Sequence, residues 1–356
     1  MKKNWFDEKI KKFSSIGGYQ KPDLIPNSVK LDSNENYVIS KQFQNDVITS
    51  AKKNSDVREY PLGRIDKLIK AISKFTKVPT SMIGVGNGSD QILDLILSNF
   101  ASKQTKVITS KPTFGFFEER CKLYSIPLIT IPFSDDMKLN IKDFVTQSKN
   151  ADILYLDSPN NPTGFQFSKI ELQKLIKSFN GLVIIDEAYG EFSEYSLASM
   201  VKNHDNLIVV QTLSKSFGLA GLRLGYFIAN KKFTDAFMNV LQYPYPLSTI
   251  TIESGILALE KSELMKKVVI DIKIERKRII ETLQKYDSFQ VFDSNANFVL
   301  FDAHGSYKRV YSALAEQGIS IRKLGKIGNH KGCLRVTIGT KEMNSKFLLA
   351  IRDLLG

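Results

Sequence analysis

The sequence is poor in the residues that build disulfide and metal chemistry. It holds two cysteines, Cys121 and Cys333, far apart and outside any CxxC pair. That excludes a disulfide framework or zinc ribbon and favours free thiols in a reducing compartment. The three histidines, His204, His304 and His330, share no metal-ligand spacing, so no metal site is expected. No apolar run approaches the roughly 18 residues of a membrane span. The stretch Met1 to Phe13 is too charged for the apolar core of a secretory signal. A cytoplasmic chain with no membrane partner is the expectation. Repeats and low-complexity segments are missing as well.

Arginine is scarce beside lysine. Ten of the 50 basic residues are Arg, and the other 40 are Lys scattered through almost every segment. A nucleic-acid reader concentrates its charge along one helix or tail, with Arg well represented. The formal charge of +13 therefore reads as solvated helix faces, and no nucleic-acid partner is expected.

What the sequence does have is length and apolar content. At 356 residues and 42% hydrophobic, it can bury an ample core and divides into about two domains. Between residues 60 and 230, short β-branched runs alternate with helical patterns. The runs are Lys106–Thr109, Leu128–Ile131, Asp152–Leu156, Leu182–Asp186, Leu207–Gln211 and Leu224–Ala229. Helical periods occupy Ser89–Phe100 and Ile170–Phe179. This alternation predicts an α/β fold with a mostly parallel central sheet. Two prolines in Tyr243–Pro246 interrupt the pattern. A long helix over about Ile252–Tyr286 then leads to strands Asn297–Phe301 and Leu334–Ile338, with helices near Tyr307–Glu316 and Asn344–Leu354. The expected organisation is an N-terminal arm (1–30), a large domain (31–245) and a smaller α/β domain (246–356).

Four segments carry chemistry. Gly84–Asp90 follows a strand and opens a helix, so it is either an anion site of backbone N–H groups or a tight turn with Ser89 as N-cap. Its spacing is not G-x-G-x-x-G, and a dinucleotide fold is not indicated. Pro159–Gly164 is a rigid turn after a buried strand, at the edge where open α/β sheets bind ligands. Asp186 and Glu187 end another strand and point to opposite faces, so one at most enters a given site. Lys215 lies in a turn of small residues with hydroxyls on both sides and Arg223 eight residues on. A Lys that attacks a carbonyl as the neutral amine needs such a desolvated, cation-rich place.

Taken in order, these segments resemble the fold-type-I, pyridoxal-phosphate-dependent aminotransferases, and within them the histidinol-phosphate branch. The resemblance runs nearly end to end, through Ser33–Asn36, Tyr60-Pro61, Gly86–Asp90, Pro112–Phe114, the Asn161 turn, Asp186–Tyr189, the Lys215 stretch, Pro244–Ser248, Asn297–Leu300 and Leu334–Thr340. It implies the PLP-dependent transferase fold type I, with a large domain and a smaller α/β domain. It implies a Schiff base on Lys215, which also shuttles the substrate proton, and Asp186 paired with the ring nitrogen. Asn161 and Tyr189 then bond the phenolic oxygen, and Phe114 stacks on the ring. Gly88, Ser89, Asp90, Thr212, Ser214 and Arg223 hold the cofactor phosphate, and Tyr60 reaches it from the neighbouring subunit of a homodimer with shared active sites.

For the substrate, the resemblance points to Arg335 and Arg322 with Tyr19, Glu35, Tyr60, Asn161 and Tyr245. Two guanidinium forks suit a phosphate monoester better than a lone carboxylate. The implied reaction interconverts histidinol phosphate and imidazole-acetol phosphate, with glutamate and 2-oxoglutarate as the amino couple, in histidine biosynthesis. An aromatic or broad-specificity amino-acid aminotransferase and a phospho-amino-acid decarboxylase share the motifs. Two residues depart from the branch's pattern near the substrate entrance: Tyr37 where it has Pro, and Leu62 where it has an acid.

Overall fold

The computed structural model describes residues 2–18 and 21–355. After a first short strand, β1 (Val29–Leu31), the chain builds a seven-stranded sheet. Its members are β2 (Ile83–Asn87), β3 (Val107–Lys111), β4 (Leu128–Pro132), β5 (Ile153–Asp157), β6 (Leu182–Asp186), β7 (Leu207–Thr212) and β8 (Leu224–Ile228). The spatial order is β2-β8-β7-β6-β5-β3-β4. Pairings from β4 through β7 are all parallel, and β8 runs antiparallel to both its neighbours. The reversal has a consequence for the site. The turn 213–223 leaves the carboxyl end of β7 and re-enters the sheet at the same edge, carrying Lys215 and Arg223 there.

β5, β6 and β7 are buried along almost their whole length, as expected for strands covered on both faces. Their period of two sorts the side chains. Tyr155, Ile184, Ile208 and Val210 pack with Ile92, Ile96, Phe117 and Phe237 on one face. Leu154, Leu156, Val183, Ile185 and Val209 pack on the other, in a core that continues into the C-terminal part of the chain. Helix Gly88–Phe100 covers the first face through Ile92, Leu93 and Ile96. It starts at Gly88, so Ser89 is in its first turn and not its N-cap.

A second sheet has the order β1-β11-β12-β10-β9, from β9 (Gln290–Val291), β10 (Phe298–Asp302), β11 (Ile319–Ile327) and β12 (His330–Thr337). β1 lies parallel to β11, so this N-terminal strand belongs to the C-terminal sheet and brings residues 32–36 to the edge of β12. The continuous helix read over 252–286 is two helices, Thr249–Glu260 and Ser262–Leu283, parted at Lys261. The first packs against helices Lys41–Asn54 and Arg64–Thr76, clamped by Arg64–Glu253 at 2.6 Å. The predicted arm contains a helix, Lys2–Ile16, that touches helix Gly115–Tyr124 and leaves Trp5, Phe6, Ile10 and Phe13 exposed. No described helix is long and apolar enough to cross a membrane.

Candidate active site

The carboxyl ends of β5, β6 and β7 face the second sheet across a cavity of about 310 Å³, within the usual size range of small-molecule sites. Strand parity explains its floor. Asp157 and Asp186 are register partners on parallel β5 and β6, and Thr212 has the parity of Ile208 and Val210, so all three leave the sheet on one face. Glu187 goes to the other face. There it accepts hydrogen bonds from Leu197 N (2.7 Å), Ser196 Oγ (2.5 Å) and Gln211 Nε2 (2.8 Å), a structural role apart from the cavity.

Lys215 reaches into this space from the turn after β7. Its Nζ donates to the Ser33 carbonyl at 3.2 Å and lies 5.8 Å from the centre of the Tyr189 ring. The turn itself is held by Asn36, whose Nδ2 donates to the Ser216 carbonyl at 2.8 Å. Asp186, 3% exposed, accepts from Tyr155 Oη (3.1 Å) and the Ala188 N–H (3.0 Å), both neutral donors. Burial first, and then the charge of Asp157, push its carboxyl up to about 7. Tyr189 Oη accepts from Asn34 Nδ2 at 2.8 Å. Burial pushes that phenol up to about 12, against the opposing effects of Arg335 and Asn34.

One end of the cavity is built for an anion. The first N–H groups of helix Gly88–Phe100 open there, beside Ser89, Asp90, Thr212, Ser214 and Arg223. Thr212 Oγ1 lies 2.9 Å from Ser214 Oγ, and Arg223 NH2 pairs with Asp90 Oδ2 at 2.8 Å. A Cβ on Gly88 (φ +74) would come within 2.7 Å of Arg223 NH2, and one on Gly225 within 2.4 Å of the Gly88–Ser89 backbone. The cradle depends on glycine at both places. At the other end, Arg322 and Arg335 reach the cavity from β11 and β12. Arg335 donates through NH1 to Asn161 Oδ1 and through NH2 to the Asp32 carbonyl (3.0 Å).

Thus Ser89, Asp90, Phe114, Asn161, Asp186, Tyr189, Thr212, Ser214, Lys215, Arg223, Arg322 and Arg335 all meet in one space, with Gly88 directly beneath Arg223. Three sequence candidates do not line it. Glu35 turns away to Lys30 (3.0 Å) and Tyr37 Oη (2.8 Å), while Asn34, at φ 56, lines the cavity. Tyr60 and Tyr245 stack on each other at 4.4 Å, with Tyr60 70% exposed. Tyr19 lies outside the described residues. The cavity also contains residues to which the sequence assigned no role: Asp32, Ser33, Asn34 and Asp157 among them. Asp157 could have been found by the rule applied to Asp186, since it too is a carboxylate ending an apolar strand.

A half-buried lysine at the strand edge of an open α/β sheet, with a paired carboxylate floor and an anion cradle, defines a cofactor-dependent enzyme that works through a carbonyl. The family model described as Aminotransferase class I and II matches residues 26–351, and the chain belongs to that family. It is 34% identical over 326 residues to a histidinol-phosphate aminotransferase of Pyrococcus furiosus, covering 91% of this chain and 92% of that one. A histidinol-phosphate aminotransferase of Thermoanaerobacter sp. is 32% identical over 362 residues, with all of both chains covered. The crystal structure of the histidinol-phosphate aminotransferase from Clostridium acetobutylicum superposes with a TM-score of 0.83 at 28% identity, over 91% of this chain and 98% of that one.

The cofactor of such an enzyme is pyridoxal 5'-phosphate, and the residues present fit it. A buried carboxylate held by neutral donors calls for a cation, which a protonated ring nitrogen supplies. The cradle that a Cβ would fill suits the phosphate. Lys215 lies within the same cavity as both.

Proposed function

We propose that the protein is a transaminase that exchanges the amino group between histidinol phosphate and 2-oxoglutarate, giving imidazole-acetol phosphate and glutamate. When bound, pyridoxal phosphate supplies the carbonyl that takes the amino group and a ring that accepts the electron pair left at the substrate Cα. The protein does the rest. Lys215 Nζ, 5.8 Å from the centre of the Tyr189 ring, removes the Cα proton and returns it later. Asp186 keeps a proton on the ring nitrogen, and the same charge pairing keeps Asp186 ionised despite its burial. Tyr189 and Asn161 orient the phenolic oxygen, and Phe114 covers the ring. Ser89, Asp90, Thr212, Ser214 and Arg223 grip the phosphate.

The observation that carries the substrate assignment is the position of two arginines. Arg322 and Arg335 are opposite each other on β11 and β12 and line the cavity of Lys215. Two planar forks converging on one place match the dianion of a phosphate monoester. Steady-state assays test this: histidinol phosphate with 2-oxoglutarate should turn over far faster than phenylalanine, and Lys215→Ala should abolish both. Equal rates for the two amines would instead support a broad aromatic aminotransferase.

The same reading makes the enzyme a homodimer. Val57, Tyr60, Leu62, Val240 and Tyr243 expose large apolar side chains. A second copy covering them would place Tyr60 at its neighbour's phosphate cradle. The proposed division is an arm (1–30), a large domain (31–245) and a small domain (246–356), with β1 crossing the first boundary to join the small domain's sheet, and buried free Cys121 and Cys333 suit a cytoplasmic location.

A further inference from the structure

Two carboxylates, and not one, end apolar strands in this cavity. Asp157 closes β5 as Asp186 closes β6, in register and on the same face of the sheet. Asp157 is buried, and its hydrogen bonds go to the turns on either side of the cavity. Its Oδ1 accepts from Thr113 Oγ1 (3.0 Å), next to Phe114, and from Asn160 Nδ2 (2.8 Å). Its Oδ2 accepts from the backbone N–H of Asn161 (2.8 Å), whose side chain in turn holds Arg335. One side chain thus fixes the turn carrying the ring-stacking Phe114 and the turn carrying Asn161.

We propose that Asp157 is a positioning residue for the cofactor, locking both turns onto the end of β5 and adding a second negative charge beside Asp186. This rests on the reading of the cavity as a pyridoxal-phosphate site. The charge acts because burial removes the water that would screen it. Next to an ionised Asp157, Asp186 holds any proton or cation more strongly, whether a solvent proton or the protonated ring nitrogen. The direction agrees with Asp186 being pushed up to about 7, by burial and then by Asp157, while burial pushes Asp157 itself up to about 6. The other titratable groups facing the pair are Asp32 after β1, Tyr155 on β5, Tyr189, Asp90 at the helix start, Lys215, Arg223, Arg322 and Arg335.

The test is the affinity of the full-length, cofactor-free protein for pyridoxal phosphate between pH 5.5 and 8.5, read by absorbance after ultrafiltration. Asp157→Asn should weaken binding roughly tenfold or more at pH 8 and move the acid midpoint of binding down by about half a unit. Thr113→Val, which removes one hydrogen bond and no charge, should weaken binding less and leave the midpoint where it is. Ionisations of the cofactor itself are common to all the proteins and cancel. Should Asp157→Asn not fold, Asp157→Ser carries the same expectation. An unshifted midpoint in the charge-removing variant overturns the proposal, whether affinity is unchanged or uniformly reduced. If the wild-type protein binds no pyridoxal phosphate at any pH, it is the reading of the cavity that fails, a different result.

Discussion

Arg322 and Arg335 are register partners on antiparallel β11 and β12, so both guanidinium stems leave the sheet on one face and enter the cavity that holds Lys215. Two like charges side by side are unfavourable unless an anion joins them. Arg335 is further steadied by Asn161 and the Asp32 carbonyl, and Arg322 is the more exposed of the two.

Arg322→Ala should therefore act on the phosphorylated substrate. A charge-assisted hydrogen bond is worth about 1.5–3 kcal/mol, so kcat/KM for histidinol phosphate should fall roughly 10- to 150-fold. An unphosphorylated aromatic amine should lose much less. Equal losses on both substrates would remove Arg322 from the role of phosphate ligand.

Asp186 makes the cofactor-free protein sensitive to pH. Its folded pKa, about 7, stands above its ordinary value of 3.8. The stability this group contributes is present below about 3.8 and is lost as pH rises through about 7. Without cofactor, Asp186→Asn should thus melt higher than wild type at pH 8, by an amount on the order of a few kcal/mol, and the gap should narrow toward pH 5. The same variant should bind pyridoxal phosphate more weakly. Thermal melts of both cofactor-free proteins across that range check the sign.

Gly88 and Gly225 separate function from folding. Gly88→Ala puts a methyl 2.7 Å from Arg223 NH2, a flexible side-chain end, at a φ of +74. It should cost about 1–2 kcal/mol of stability and more in cofactor affinity. Gly225→Ala meets backbone at 2.4 Å and has nothing soft to displace. It should lower stability by several kcal/mol, since the sheet and helix Gly88–Phe100 must separate. Melting and cofactor titration of the two variants distinguish the cases.

Shared active sites can be tested by complementation. Lys215→Ala and Tyr60→Ala homodimers should each be nearly inactive. Mixed and allowed to exchange subunits, they should regain activity, because one site of each hybrid has both residues intact. No recovery, together with a monomeric mass by light scattering, would contradict a shared site.

Much of this arrangement was legible in the sequence where local pattern and chemistry coincide. The apolar runs of β5 to β7, the Asp186 strand end and the small-residue turn at Lys215 all announce themselves. β11 did not, because Arg322, Lys323, Gly325 and Lys326 break its apolar run, and its ladder to β12 shifts register on both sides of Gly325. The reversed direction of β8 left no mark either, since strand polarity is set by pairing and not by composition. Asp157 went unread because the run was ended one residue early, at Leu156. Asn34, and not the expected Glu35, lines the cavity, at a backbone angle that a motif does not specify. The +13 charge has narrowed in meaning as well. The cations that line the cavity are Lys215, Arg223, Arg322 and Arg335, set by position, while the dispersed lysines add at most a salt-screened pull on anions.

The most direct test is a single turnover. Protein loaded with pyridoxal phosphate is mixed with histidinol phosphate in the absence of any keto acid, and absorbance and products are followed. One equivalent of imidazole-acetol phosphate should form as the bound cofactor passes to its amine form, and 2-oxoglutarate should reverse the change. An unchanged spectrum with histidinol phosphate, when phenylalanine converts the cofactor, would contradict the assignment.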